Sequence, residues 1–90
     1  MTEASDQPVT DRLNDLRAAL RADPSPDAER ALYQCDRLEQ ALKFWHAEGI
    51  RFAAFTIDRL VCGPDSRMSE AIRRHAAALR EALAGAGHRF

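Results

Sequence analysis

Five side chains in this sequence offer a thiol or an imidazole for metal binding or catalysis: Cys35, His46, Cys62, His75 and His88. Two such ligands reach one ion most readily from spacings such as C-x2-C, H-x3-H or H-E-x-x-H, which aim both groups at a single point from a turn or a helix face. None of these spacings occurs, so the sequence predicts no metal site and no cofactor. A nucleophilic cysteine needs its thiolate favoured by a base, a cation or a helix N-terminus. Cys35 falls in the middle of a helical pattern, and Cys62 falls near the end of one, where the macrodipole opposes a thiolate. Cys35 reads as a small core residue and Cys62 as a helix-end residue near the core. His75 invites comparison with histidine phosphotransfer domains. The basic, glycine-containing segment that follows the reactive histidine there is replaced here by Ala76-Ala77-Ala78-Leu79. No G-x-S-x-G and no glycine-rich phosphate loop is present, and the chain is expected to be no enzyme.

Two kinds of surface chemistry remain. In the first, the segment ending at Cys62, the Gly63 turn and the helix after it form a helix-turn-helix that presents Ser69, Arg73 and Arg74 to a nucleic-acid groove. Against it, Arg59 stands where two closely crossing helices want a small side chain, and the formal charge of −1 lacks the excess of cations that binds phosphate. In the second, the aromatic cluster Phe44, Trp45, Phe52 and Phe55 straddles Gly49. These rings either form a large mini-core at one end of a bundle or stand outside as a hot spot for a partner, since aromatic side chains dominate interface energetics. On the second reading the interface anchors are Leu38, Leu42, Trp45, Phe52 and Phe55.

The elements that must position these residues are read from periodicity and punctuation. Val9, Leu13, Leu16 and Leu20 recur at helical spacing, with Thr10 as the expected N-cap, and predict a first helix ending near Asp23. Asp23-Pro24-Ser25-Pro26 is a turn, after which Ser25 caps a second helix with Pro26 at its first position and Asp27 and Glu29 against the positive end of its dipole. Its residues 28, 31, 35, 38, 42 and 45 step by three and four, as in a coiled-coil seam. Gly49 is the expected stop, in the left-handed cap position, with Ile50 folding back toward Trp45.

Ile50 to Cys62 fits a helix with a wide apolar face, while the alternation within Ile50 to Ile57 also suits a buried strand. The helix is preferred, because a lone strand would find no ladder partner elsewhere in the chain. Gly63-Pro64-Asp65-Ser66 is a turn, and Asp65 or Ser66 is the expected cap of a last helix along Met68, Ile72, Ala76, Leu79 and Leu83, ended by Gly85 and Gly87.

Ninety residues make one domain, and a 46% hydrophobic, 30% charged composition provides a core and argues against disorder. A domain this small buries only roughly 60–65% of its unfolded surface, so a partner would add stability. Met1 to Glu48 holds ten acidic and six basic residues, whereas Gly49 to Phe90 holds four and seven, giving −4 and +3. Twelve of the thirteen basic residues are arginine, a bias that reads as bacterial-like genomic composition. The acidic, polar start at Met1 to Pro8 lacks an apolar signal core, which predicts a cytoplasmic protein, and Phe52 to Ile57 is far too short to span a bilayer.

The expected fold is therefore all-α, a small antiparallel bundle of three to four helices with a long central helix. A flexible leader over 1–9, a single domain over 10–84 and a flexible tail over 85–90 complete it. The expected function is a helical protein–protein interaction module, as a homodimer or an accessory subunit, with the DNA-binding regulator as the alternative and no membrane contact.

Overall fold

The computed structural model describes residues 7–88 and contains four α-helices: α1 (Gln7–Arg21), α2 (Pro26–Lys43), α3 (Ala47–Cys62) and α4 (Glu70–Gly85). The leader expected over 1–9 and the tail expected over 85–90 fall partly outside the described residues; of the parts described, Gln7 to Val9 belong to α1 and Gly85 is the last residue of α4. Ile50 to Cys62 is helical throughout, as the lack of a strand partner implied. α2 is the longest helix at 18 residues, but the others have 15 or 16, so all four span nearly the same height. Short connections reverse the chain between successive helices. α2 packs on α1 and α3, α4 packs on α1 and α3, and no diagonal pair touches, which makes a closed up-and-down four-helix bundle measuring 39 × 21 × 20 Å.

Aliphatic side chains at helical spacing fill the centre. α1 contributes Val9, Leu13, Leu16 and Leu20; α3 contributes Ile50, Ala53, Ala54, Ile57 and Val61; α4 contributes Ile72, Ala76, Leu79 and Leu83. α2 contributes mostly small residues, Ala28, Ala31, Cys35 and Ala41 beside Leu38. The expected seam at 28, 31, 35 and 38 is thus buried, but it continues through Ala41, which faces α3 beside Gly49. Leu42 turns toward α1, near Leu13 and Arg17, and is half-buried. A coiled-coil seam has one partner helix, whereas α2 lies between two and divides its apolar residues between them.

Four helix ends differ from the sequence expectation. α1 starts at Gln7, so Thr10 lies inside the helix and Val9 is fully buried; Pro8 occupies the first turn, where its missing N–H is not needed. Ser25 caps α2 as expected, accepting from the Ala28 N–H at 3.2 Å with Pro26 at the helix start. Asp23 in turn accepts from the Ser25 N–H at 2.8 Å, and that hydrogen bond holds its carboxyl below the usual range.

α2 stops at Lys43 and not at Gly49. The Trp45 N–H donates to the Leu42 carbonyl and the His46 N–H to the Ala41 carbonyl, the paired bonds of a Schellman ending. Gly49 instead lies in the first turn of α3, where its N–H donates to His46 Nδ1 at 3.0 Å, and His46 is the N-cap. α4 begins after Ser69, whose hydroxyl accepts from the Ile72 N–H at 3.2 Å, because Asp65 and Ser66 belong to the preceding loop. There the Ser66 hydroxyl donates to the Val61 carbonyl and accepts from the Met68 N–H. Met68 is buried beneath that loop, outside the helix.

One charged side chain enters the interior. Arg17 lies within the apolar side of α1 and reaches across to α2, donating from Nη2 to Asp36 at 2.8 Å, to Glu39 at 2.5 Å and, weakly, to the Cys35 carbonyl at 3.4 Å. Burial opposes its charge, but the hydrogen bonds and field of Glu39 and Asp36 prevail and hold its pKa above the ordinary value. Both carboxylates are largely exposed, so the electrostatic gain is screened, and much of the contribution comes from the packed aliphatic stem.

Two substitutions test these assignments by thermal or urea unfolding. Arg17→Ala should cost about 2 kcal/mol and Arg17→Met less than half of that, because methionine replaces the stem and leaves both carboxylates in water. Gly49→Ala should destabilise, because an added Cβ would lie 2.4 Å from His46 Nδ1 and 3.1 Å from the Ala41 Cβ. That reverses the gain of up to about 1 kcal/mol that Gly→Ala brings in an open helix. Gly85→Ala, whose Cβ would meet nothing within 4 Å, is the control and should stabilise slightly.

Candidate interaction surface

With the core filled by aliphatic side chains, the large aromatic rings stand outside. Tyr33, Phe44, Trp45, Phe52 and Phe55 are 53 to 74% exposed, which excludes the mini-core reading of the cluster. All five lie on α2, α3 or the turn between them. Tyr33, Arg37, Gln40 and Phe44 follow one another by four, three and four residues and so share one side of α2; Phe55, Thr56 and Arg59 stand three, four and seven residues after Phe52 and share one side of α3 with it.

Between these rows run three open grooves. One of about 500 Å³ lies between the C-terminal half of α2 and the start of α3, lined by Tyr33, Arg37, Gln40, Phe44 and Phe52 with Ala41 and Gly49 at its base. A second, also about 500 Å³, continues from Phe52 past Phe55, Arg59 and Leu60 to Pro64. The third, about 450 Å³, lies among Tyr33, Gln34, Thr56 and Leu60. Shared residues join the three into one surface along the α2–α3 face. Cations edge it: the Arg37 guanidinium is 5.8 Å from the Tyr33 ring centre and that of Arg59 is 6.0 Å from that of Phe55.

The turn at the end of this face is strained. Trp45 has φ of 54°, the one non-glycine residue with positive φ among the described residues. The same Schellman hydrogen bonds end α4, where the Gly87 N–H donates to the Ala84 carbonyl and the His88 N–H to that of Leu83. Glycine fills the left-handed position there, with φ of 94°. A side chain in that position costs about 1–2 kcal/mol relative to glycine, and Trp45 is 71% exposed, so little packing on its own chain repays it.

Of the five anchors read from the sequence, the structure brings Phe52 and Phe55 onto this face and leaves Trp45 exposed in the turn at its end. Leu38 is fully buried in the bundle and Leu42 is half-buried beside Leu13 and Arg17 of α1, so both are corrected to structural roles. Tyr33 was missed. Its signal was a second stripe at 33, 37, 40 and 44, whose polar members concealed its periodicity. The candidate nucleic-acid residues are differently employed: Ser69 is the cap of α4 and Arg73 donates to the Ser66 carbonyl at 2.8 Å, while Arg74 is exposed. The seven residues between α3 and α4 exceed the short turn of a helix-turn-helix.

Among the described residues no group of three histidine, cysteine or acidic side chains is gathered to hold a metal ion, and no helix is long and apolar enough to cross a membrane. The chain matches no family model, and neither curated proteins nor solved structures contain a significant match to it.

Cys35 and Cys62 are both free thiols. Burial pushes Cys35 up to about 12, with the nearby Arg17 only partly offsetting it. Cys62 was expected near the core but is exposed at the end of α3, with partial burial and then Asp58 raising its pKa while Arg73 and Arg80 lower it. A thiol-specific disulfide reagent near neutral pH should therefore titrate one thiol in the native protein, removed by Cys62→Ser, and both in denaturant. Prompt native reaction of Cys35 would contradict the packing described.

Proposed function

We propose that this chain is a small helical protein–protein interaction module, a homodimer or an accessory subunit acting in the cytoplasm, with the aromatic α2–α3 face as its docking surface and no catalytic chemistry of its own. The observation that carries this reading is the exposure of Tyr33, Phe44, Phe52 and Phe55 along one continuous face, with exposed Trp45 in the turn at its end, when the other large apolar side chains described lie in or against the core. Contiguous apolar patches of that extent are uncommon on monomers and are typical of interface centres, where a few aromatic and arginine residues supply most of the binding energy. Arg37 and Arg59 beside the rings suit the same role. Duplex binding through Ser69, Arg73 and Arg74 lacks comparable support, since two of these side chains already serve the α3–α4 loop and the start of α4.

A photo-cross-linking amino acid at Phe52 or Phe55, expressed in the native host, should give covalent adducts with this protein or another. The same probe at exposed Arg12 on α1 or Ala77 on α4 should give none. Adducts from the control positions alone, or from no position, would refute the assignment.

A further inference from the structure

Resting on the docking surface just described, we infer that its occupant is a second copy of this chain. The two copies are related by a two-fold axis passing near the α2–α3 turn, with Trp45 of each seated in the α2–α3 groove of the other. Three observations select this partner.

The first is area. An aromatic side chain presents about 150–250 Å². At 53 to 74% exposure the five rings leave roughly 600 Å² uncovered, most of the ~800 Å² that each partner contributes to a standard interface. The second is charge. Four carboxylates border the grooves, Asp27, Glu29, Asp36 and Asp65, beside three arginines, Arg30, Arg37 and Arg59, and Asp36 is also paired with Arg17. The face is therefore close to neutral with both signs interspersed, and it can meet itself with little net repulsion. A partner chosen by charge would instead face a surface of one sign.

The third is shape. A two-fold interface must be complementary to itself, with a projection and a recess on the same surface. Here Trp45 projects from the turn, and the groove of about 500 Å³ begins at its two neighbours, Phe44 and His46. Gly49 and Ala41, having no bulky side chain, leave the base of the groove open enough for a flat ring to lie against the backbone. The left-handed backbone at Trp45 gains its reason: glycine would end α2 with less strain, as Gly87 ends α4, but would remove the projecting ring.

The decisive variant is Trp45→Gly, because it relieves the turn while deleting the contact, so loss of pairing cannot be attributed to unfolding. Sedimentation and light scattering across micromolar concentrations should show a wild-type dimer. Trp45→Gly should weaken it by at least about tenfold with unchanged circular dichroism. Phe52→Asp should do likewise from the groove side. Isotope-filtered nuclear Overhauser spectra on mixed labelled and unlabelled protein should connect the Trp45 indole to the Tyr33 or Phe52 ring of the other copy.

A wild-type protein that stays monomeric at the highest soluble concentration overturns self-pairing. In that case cross-links to a different protein from Phe52 or Phe55 preserve the docking surface, whereas their absence removes both. A dimer that Trp45→Gly leaves intact also overturns the inference.

Discussion

Most of the side chains that α2 buries are small, Ala28, Ala31, Cys35 and Ala41 beside the single large Leu38, and the rest of the molecule follows from that. Small side chains let two helix backbones approach closely, and α2 and α3 are the most closely packed pair in the bundle. Close approach leaves no room between them for a phenyl or indole ring. Leucines from α1 and branched residues from α3 and α4 supply the volume that α2 lacks, so the interior is full without any aromatic side chain. The rings must go outside, and because α2 and α3 each carry theirs on the side away from α1 and α4, they converge on one face.

Local chemistry at the helix ends then shapes that face. His46 accepts from the Gly49 N–H and starts α3 directly after the Schellman ending of α2, so only Phe44, Trp45 and His46 separate the two helices. So short a connection brings Phe44 and His46 to the edge of the groove and holds Trp45 between them in a left-handed conformation. Gly49 serves two purposes, since the missing Cβ both admits the His46 imidazole and opens the base of the groove. At the other end of the bundle the α3–α4 loop is secured by Ser66 and Arg73, which consumes side chains that would otherwise have been available to a ligand.

Arg17 shows how the two pairs of helices are held in register. It passes from α1 to Asp36 and Glu39 of α2, and because Asp36 also lines the groove beside Tyr33 and Arg37, the ionic contact reaches the border of the aromatic face. The interior next to it holds the Cys35 thiol uncharged. The buried charge of Arg17 thus ties α1 to α2, and the large apolar side chains that stand exposed among the described residues are aromatic.

Helical periodicity, the proline and glycine turns between segments and the lack of a ladder partner for Ile50 to Ile57 together determined that the chain is all-α; periodicity also determined that Ala28, Ala31, Cys35, Ile50, Ile57, Ile72, Leu79 and Leu83 face inward, because a 3.6-residue repeat of apolar side chains has one low-energy way to leave water. The Ser25-Pro26 start was equally legible, since its hydrogen bonds are local. The stop at Lys43, the cap at His46 and the cap at Ser69 were not, because glycine and serine occur at several nearby positions and only the three-dimensional path selects among them. The same limit governed the surface. Sequence marked Trp45, Phe52 and Phe55 but grouped them with Leu38 and Leu42, and it passed over Tyr33. Which side of α2 meets α1, and which meets nothing, is a property of how four helices close around a shared interior; no single helix encodes it.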